Sequence, residues 1–376
     1  MLMQKGSKKL NVKKGLNLSI VLAILCTLLL ILMIGCSKEE EESVEGEKEE
    51  AVEEEVKEEP EEKEEKTGSP SPLSGIYGEE ESLERPVVGV MYDNNPNARP
   101  QAGFYEAEVI YEFYVEGNAT RYLAFFLMND PELVGPVRSA RPYFIEKAME
   151  YDAIYGHAGA SSRVTEELRN LRIQNVSLSG PGAEAFWRET HRRAPHNAYT
   201  SMGNLRRTAE NLDYREVSNF RGGEFHQEKT ALKKGEAVDS FEVHYHSSYR
   251  AEYRYNKDEQ GYDRYYVDRR HYDETHTDEE EKPIVASNVL VQIVPARQIP
   301  GTSSGILEMD TIGSGKAYYF TMGKMQEVQW KKNDKEDFTR YYDNEGKEIL
   351  LNPGQTWVQV IPREEILRLE KSERGE

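Results

Sequence analysis

The stretch Gly135–Ser161, GPVRSARPYFIEKAMEYDAIYGHAGAS, decides the reading of the fold. Pro142 stands where a helix begins, because the missing proline N–H costs nothing at the first helical position. That helix is expected to run to about Tyr151. Ala153-Ile154-Tyr155-Gly156-His157 then reads as a short buried strand, and Ala158-Gly159-Ala160-Ser161 as a loop with little side-chain bulk. A second helix follows over Ser162 to Arg172, where Val164, Leu168 and Leu171 fall at helical spacing. Helix, strand and small-residue loop in succession mark an α/β arrangement, in which ligands gather at strand ends. Arg138 and Arg141 stand at the helix entrance. There the orphan N–H groups and the helix dipole favour an anion, and guanidinium groups bind carboxylate or phosphate bidentately.

Upstream, Pro86 to Tyr92 is a continuous apolar run of the kind a strand buried on both faces shows. It ends in the turn Asp93-Asn94-Asn95-Pro96, which places Asp93 and Asn94 at the strand's C-terminal end. Ala107 to Glu116 and Thr120 to Met128 are two more strands around a short Gly117-Asn118-Ala119 connection. Glu112 interrupts the apolar neighbours of the first, and Arg121 follows the turn into the second. Downstream, His191 to Thr200 (HRRAPHNAYT) brings His196 and Asn197 either to the same cleft or to a surface loop, before a helix from about Ser201 to Leu212. No G-x-G-x-x-G follows the first strand and no Walker loop is present, so this is not a dinucleotide fold.

From about residue 238 the apolar period changes from helical to two. Phe241, Val243 and Tyr245 alternate with Glu242, His244 and His246, and further strands are expected up to Thr356–Ile361. A β-sandwich or partly open barrel fits, with a terminal helix over Glu364 to Glu370. The fold class is therefore α+β: a mixed α/β domain at 81–225, a connector at 226–237, a mainly antiparallel β domain at 238–365 and a polar tail at 366–376.

The front of the chain is an address. Residues 1–15 hold five lysines and no acid, and Leu16 to Gly35 is nearly all apolar, which reads as a signal peptide. Met33-Ile34-Gly35-Cys36 resembles a bacterial lipobox, in which cleavage leaves Cys36 N-terminal and diacylated. The alternative is a retained membrane helix, since the run approaches the roughly 20 residues needed to span a bilayer. Either way the rest faces outward. Cys26 lies inside the signal, so the mature chain keeps Cys36 alone, and an internal disulfide, a cysteine nucleophile and a thiolate metal site are all excluded. Lys38–Lys66 carries 17 glutamates against 5 lysines and stays solvated. Residues 36–80 form a tether with an end-to-end distance of about 40 Å. Residues 67–376 keep a net charge of −13, which argues against nucleic acid or anionic lipid as a bulk partner but not against an anion in a local arginine pocket.

With these pieces in place the chain resembles the YerB-like lipoproteins over about residues 85–363. The resemblance rests on Tyr92-Asp93-Asn94, Ala98-Arg99-Pro100-Gln101, Tyr111-Glu112, Thr120-Arg121, Gly135 to Pro142, His157-Ala158-Gly159 and Pro353 to Pro362. It implies a two-part domain and a lipid anchor on the outer face of a Gram-positive-type membrane. It implies no reaction.

The candidate binding residues are Arg138, Arg141, His157, Asp93, Asn94, Glu112 and Arg121, with His196 and Asn197 secondary. The competing explanation is a structural ion network of these arginines with Glu112, Glu116 or Asp93. His244 and His246, with His271 and His276, lack a known metal-site pattern, so neither metal nor cofactor is expected. No G-x-S-x-G or H-E-x-x-H is present. The first reading is a non-enzymatic envelope protein whose partner is an anionic cell-wall fragment or another envelope protein. The alternative is a hydrolase or lyase of wall polymer with Asp93, Glu112 and His157 as acid–base groups. Geometry separates them: an enzyme needs those three side chains to converge with the arginines in a cleft.

Overall fold

The computed structural model describes residues 66–117, 119–220, 222–275, 282–299 and 306–371. The stretch read as an export signal, Cys36, nearly all of the acidic stretch and His276 lie outside the described residues. The first apolar run becomes β1 (Val88–Asp93), buried at every position. A hairpin follows, β2 (Val109–Val115) and β3 (Ala119–Phe126), with β3 antiparallel to both β1 and β2. Pro142 opens α1 (Pro142–Glu150), which leads into β4 (Ile154–His157), parallel to β1. Ser161 caps α2 (Ser162–Asn170) by accepting from the Val164 N–H at 3.4 Å. The edge strand β5 (Asn175–Ser177) runs parallel to β4, and α3 (Met202–Asn211) is capped by Ser201. Successive side chains of β1 face opposite ways, as the strand period requires. Met91 packs with Tyr143, Phe144 and Ile145 of α1, whereas Val90 and Tyr92 share a core with Met202 and Leu205 of α3.

The second half supplies β6 (Glu236–His246), β7 (Tyr249–Asn256), β8 (Gly261–Tyr266), β9 (Asn288–Ile293), β10 (Gly313–Thr321), β11 (Lys324–Lys332), β12 (Thr356–Ile361) and β13 (Leu367–Lys371). One sheet passes through both halves in the order β8-β7-β6-β11-β10-β9-β12-β2-β3-β1-β4-β5. The join is β12, which lies parallel to β9 on one side and to β2 on the other, with Trp357 beside Ile110 and Gln359 beside Glu112. β6 is the corner. Its first two residues pair with β11; from Val238 it pairs with β13, with an irregularity between Val238 and Ser240, and from Ser240 also with β7. A strand that changes partners in this way turns a sheet onto itself. The β6–β8 leaf therefore covers the face of β10, β9, β12, β2 and β3, with Phe241 stacked on Phe320 at 3.7 Å between ring centroids.

Two expectations are corrected at the ends of this unit. The segment Glu364–Glu370 is not a helix: a 3-10 turn, Glu364–Ile366, leads into β13, which pairs with β6 and so takes up part of the stretch read as a polar tail. Leu367 and Leu369 both pack on the core at the spacing of a strand, and this period of two prevails over the helix-forming residues around them. At the other end the chain is packed from Ser71, inside the stretch read as tether. The buried Glu108 carboxylate accepts from the Ser71 and Ser74 hydroxyls and from the backbone N–H groups of Leu127 and Met128. Among the described residues no helix is long and apolar enough to cross a membrane.

Trp357 carries the join between the halves. Its ring meets Phe104 and Tyr122 edge-on at 5.7 and 5.8 Å, and its Nε1–H donates to Gln355. Trp357→Ala should cost about 3–5 kcal/mol in denaturant unfolding. A loss below about 1 kcal/mol would show that the two halves are held by other means.

Candidate functional site

Glu112 and Arg264 are both completely buried and form the centre of a polar network under the β6–β8 leaf. Arg264 Nη2 donates to Glu112 Oε2 at 2.8 Å and lies 3.1 and 3.2 Å from the hydroxyls of Tyr249 and Tyr122. Its Nη1 donates to His271 Nδ1 at 2.8 Å, and the guanidinium lies over the Trp357 ring at 4.3 Å. Glu112 Oε1 accepts from Asn94, Thr120 and Tyr249. Asn94 in turn receives Arg99, whose guanidinium lies against the rings of Tyr249 and Tyr266. Because His271 Nδ1 must accept from arginine, its proton sits on Nε2, which donates to Gln101 Oε1 at 2.9 Å. Burial, with Arg264 and Arg99 nearby, holds the His271 pKa well below the usual histidine value. The ring is neutral.

Glu112 is thus paired with Arg264 rather than with Arg121, Arg138 or Arg141. Arg264 shares its strand face with Tyr262 and Tyr266, on the apolar parity of β8. That placement was the available signal: a charge at a core position needs a buried partner.

The arginines of the 135–161 stretch lie on the other face of β2, β3 and β1. Asp93 is registered with Arg121 and Arg121 with Phe113, whereas Tyr92, Tyr122 and Glu112 form the adjacent row. Adjacent rows face opposite ways. Arg138 Nε lies 3.2 Å from Asp93 Oδ2, and His196 Nδ1 donates to the same oxygen at 2.7 Å. Arg141 holds Glu116 in a two-pronged pair, one contact being Nε to Oε2 at 2.9 Å. Arg121 donates to the Ser139 carbonyl at 2.7 Å and lies 4.0 Å from Glu116. Its pKa is pushed down to about 10, first by burial and then by the charge of Arg141. Asn197 accepts from Arg188 and donates to the Glu189 carbonyl, so it fastens its own loop rather than facing the arginines.

His157 sits beside this cluster, with its side chain turned elsewhere. Its Nδ1–H donates to the Gly159 carbonyl at 2.9 Å, and Nε2 faces Asn175 Oδ1 at 3.3 Å. Burial lowers its pKa. Gly159 has φ +85°, and its carbonyl also accepts the Ala140 N–H, so this one peptide ties the histidine loop to the arginine segment. No hydrogen bond or ion pair among the described residues joins any two of Asp93, Glu112 and His157. The three groups an acid–base mechanism requires therefore lie in three separate settings. His244 pairs with Glu242 and His246 with Ser248, and no cluster of three or more metal-ligating side chains is present among the described residues.

Two outcomes test the buried network. Arg264→Met should cost about 3–5 kcal/mol, because it strands the Glu112 carboxylate without its counter-ion. An unfolding free energy within about 1 kcal/mol of wild type would mean that Glu112 is neutral or hydrated. The second test is pH. In the unfolded chain His271 titrates near 6.5, whereas the folded ring resists protonation. Between those two values the unfolded state binds the extra proton, so stability falls as pH drops below about 6.5, by at most about 1.4 kcal/mol per pH unit for this one group. His271→Gln should flatten that slope, and a slope unchanged in the variant would assign it to other residues.

Residues 73–215 match the model described as the N-terminal domain of a protein of unknown function (DUF3048), and residues 241–358 match its C-terminal domain. A Bacillus subtilis protein named "Putative lipoprotein YerB" is 30% identical over 307 residues, covering 81% of this chain and 89% of that protein. The crystal structure of the YerB protein from Bacillus subtilis superposes with a TM-score of 0.72 at 29% identity, covering 80% of this chain and 99% of that one. The Glu112–Arg264 pair thus bridges the two matched segments, and the chain belongs to the DUF3048 family.

Proposed function

We propose that this chain is a lipid-anchored protein on the outer face of the cell membrane that binds an anionic envelope component through Arg121, Arg138 and Arg141. Anchoring is supported by the lipobox-like Met33–Cys36 and by the lipoprotein name of the Bacillus subtilis relative. One observation carries the binding reading. Among the described residues the ion pairs of these three arginines go to two carboxylates, Asp93 and Glu116, so the cluster has one more guanidinium than counter-ion. Burial first, and then the charge of Arg141, lowers the pKa of Arg121, and an incoming phosphate or carboxylate offsets the charge contribution. Arg138 is the accessible member, with 24% of its side chain exposed and its Nη1 reaching the Pro195 carbonyl. A wall polymer bearing phosphate or carboxylate groups, or the acidic face of an envelope protein, fits this chemistry. The separate settings of Asp93, Glu112 and His157 favour binding over turnover.

The full-length chain in detergent, titrated with poly(glycerol phosphate) and with a muropeptide, tests the reading. A charged hydrogen bond contributes about 1.5–3 kcal/mol, so Arg138→Gln should weaken binding roughly ten- to hundredfold. Equal affinity for wild type and variant, or no binding to either, would overturn it.

A further inference from the structure

A groove of about 430 Å³ runs between α2 and the edge strand β5, within the range of small-molecule sites. It is separate from the cluster of Arg121, Arg138 and Arg141, and none of those residues lines it. Its lining is unlike the rest of the chain. The protein carries a formal charge of −20, yet the described residues around this groove include two arginines, Arg169 and Arg172, and no carboxylate. Both arginines are exposed, on the last turn of α2 and just beyond it. His157, only 2% exposed, and Asn175 form part of the opposite wall.

That wall asks for hydrogen-bond donors. His157 Nδ1–H donates to the Gly159 carbonyl at 2.9 Å, and its Nε2 meets Asn175 Oδ1 at 3.3 Å. The Asn175 amide nitrogen is committed to the Ile173 carbonyl at 2.9 Å, so the oxygen is the end that meets the ring. The Asn175 oxygen keeps a second lone pair, to which a hydroxyl placed at the groove wall can donate. Ser177 and Ser179 add hydroxyls nearby, and Leu168 and Ile173 supply apolar surface against which a carbon ring can lie.

We infer that this groove binds a small hydroxylated anion, a sugar acid or sugar phosphate, with its hydroxyls on Asn175 and the serines beside it and its anionic group on Arg169 and Arg172. The chemistry common to both ligands is a polyol carrying one anionic group. The inference does not depend on the Arg138 cluster and can fail without it.

Calorimetric titration of the full-length chain in detergent with glucose 1-phosphate, glucuronate, inorganic phosphate and glucose tests it. At least one sugar anion should bind about tenfold or more tightly than inorganic phosphate or glucose, since both halves of the site contribute. The tighter of glucose 1-phosphate and glucuronate identifies the anionic group. Arg169→Gln combined with Arg172→Gln, both at exposed positions, should reduce that affinity at least tenfold with the melting temperature unchanged, while Arg138→Gln leaves it intact. The inference is overturned by the absence of sugar-anion binding, by inorganic phosphate binding equally well, by binding undiminished in the double variant, or by loss confined to Arg138→Gln.

Discussion

A fully buried guanidinium facing a fully buried carboxylate is the constraint on which the architecture depends. Taking both ions out of water costs several kcal/mol each, and their mutual attraction offsets this only if the remaining donors and acceptors are also satisfied. Here they are satisfied from every direction. Arg264 comes from β8, Glu112 from β2, and the hydroxyls and ring nitrogen that complete the shell come from β3, β7 and the segment after β8. The pair cannot form until the leaf lies on the sheet, and the leaf cannot close without burying both charges. Pairing of this kind fixes one register, because a slip of β8 by one residue turns Arg264 to the opposite face and strands Glu112.

How much of this was legible in the sequence follows from the range of each interaction. Pro142 marks the start of α1 and the spacing of Val164 and Leu168 marks α2, through local patterns that need no distant partner. Glu112 was legible as an anomaly, a charge within an apolar run, but its partner stands 152 residues away and shares no local pattern with it. The insertion of β12 beside β2 is hidden for the same reason: TWVQVI declares a buried strand without declaring its neighbours. Glu364–Glu370 shows a local signal overruled. Glutamates and leucines favour helix intrinsically, yet the available bonding partner was the exposed side of β6, and two leucines two residues apart fit it.

Around the candidate site the sequence brought residues to one neighbourhood while leaving their orientations open. Arg138, Arg141, Asp93 and His157 do meet around one short segment, because the backbone from Pro136 to Ala140 bonds to the end of β1 on one side and to the His157 loop on the other. Strand alternation then divides them, sending Asp93 and Arg121 to one face and Glu112 to the other. Proximity in sequence motifs is therefore compatible with chemical separation, and the separation is what weakens an acid–base reading of Asp93, Glu112 and His157.

Charge sets the reach of any recognition by this chain. The net charge of −13 over residues 67–376, preceded by the glutamate-rich stretch, repels polyanions at long range. At physiological ionic strength that repulsion decays over about 8 Å, so it slows approach without governing the bound state. Attraction must arise from arginines within contact distance. At Arg138 and Arg141 the neighbouring Asp93 and Glu116 restrain those charges, which requires a ligand strong enough to compete for a guanidinium already paired. At Arg169 and Arg172 no carboxylate lines the groove. The field therefore bears on approach, and the contacts an anion makes within a few ångströms decide whether it stays.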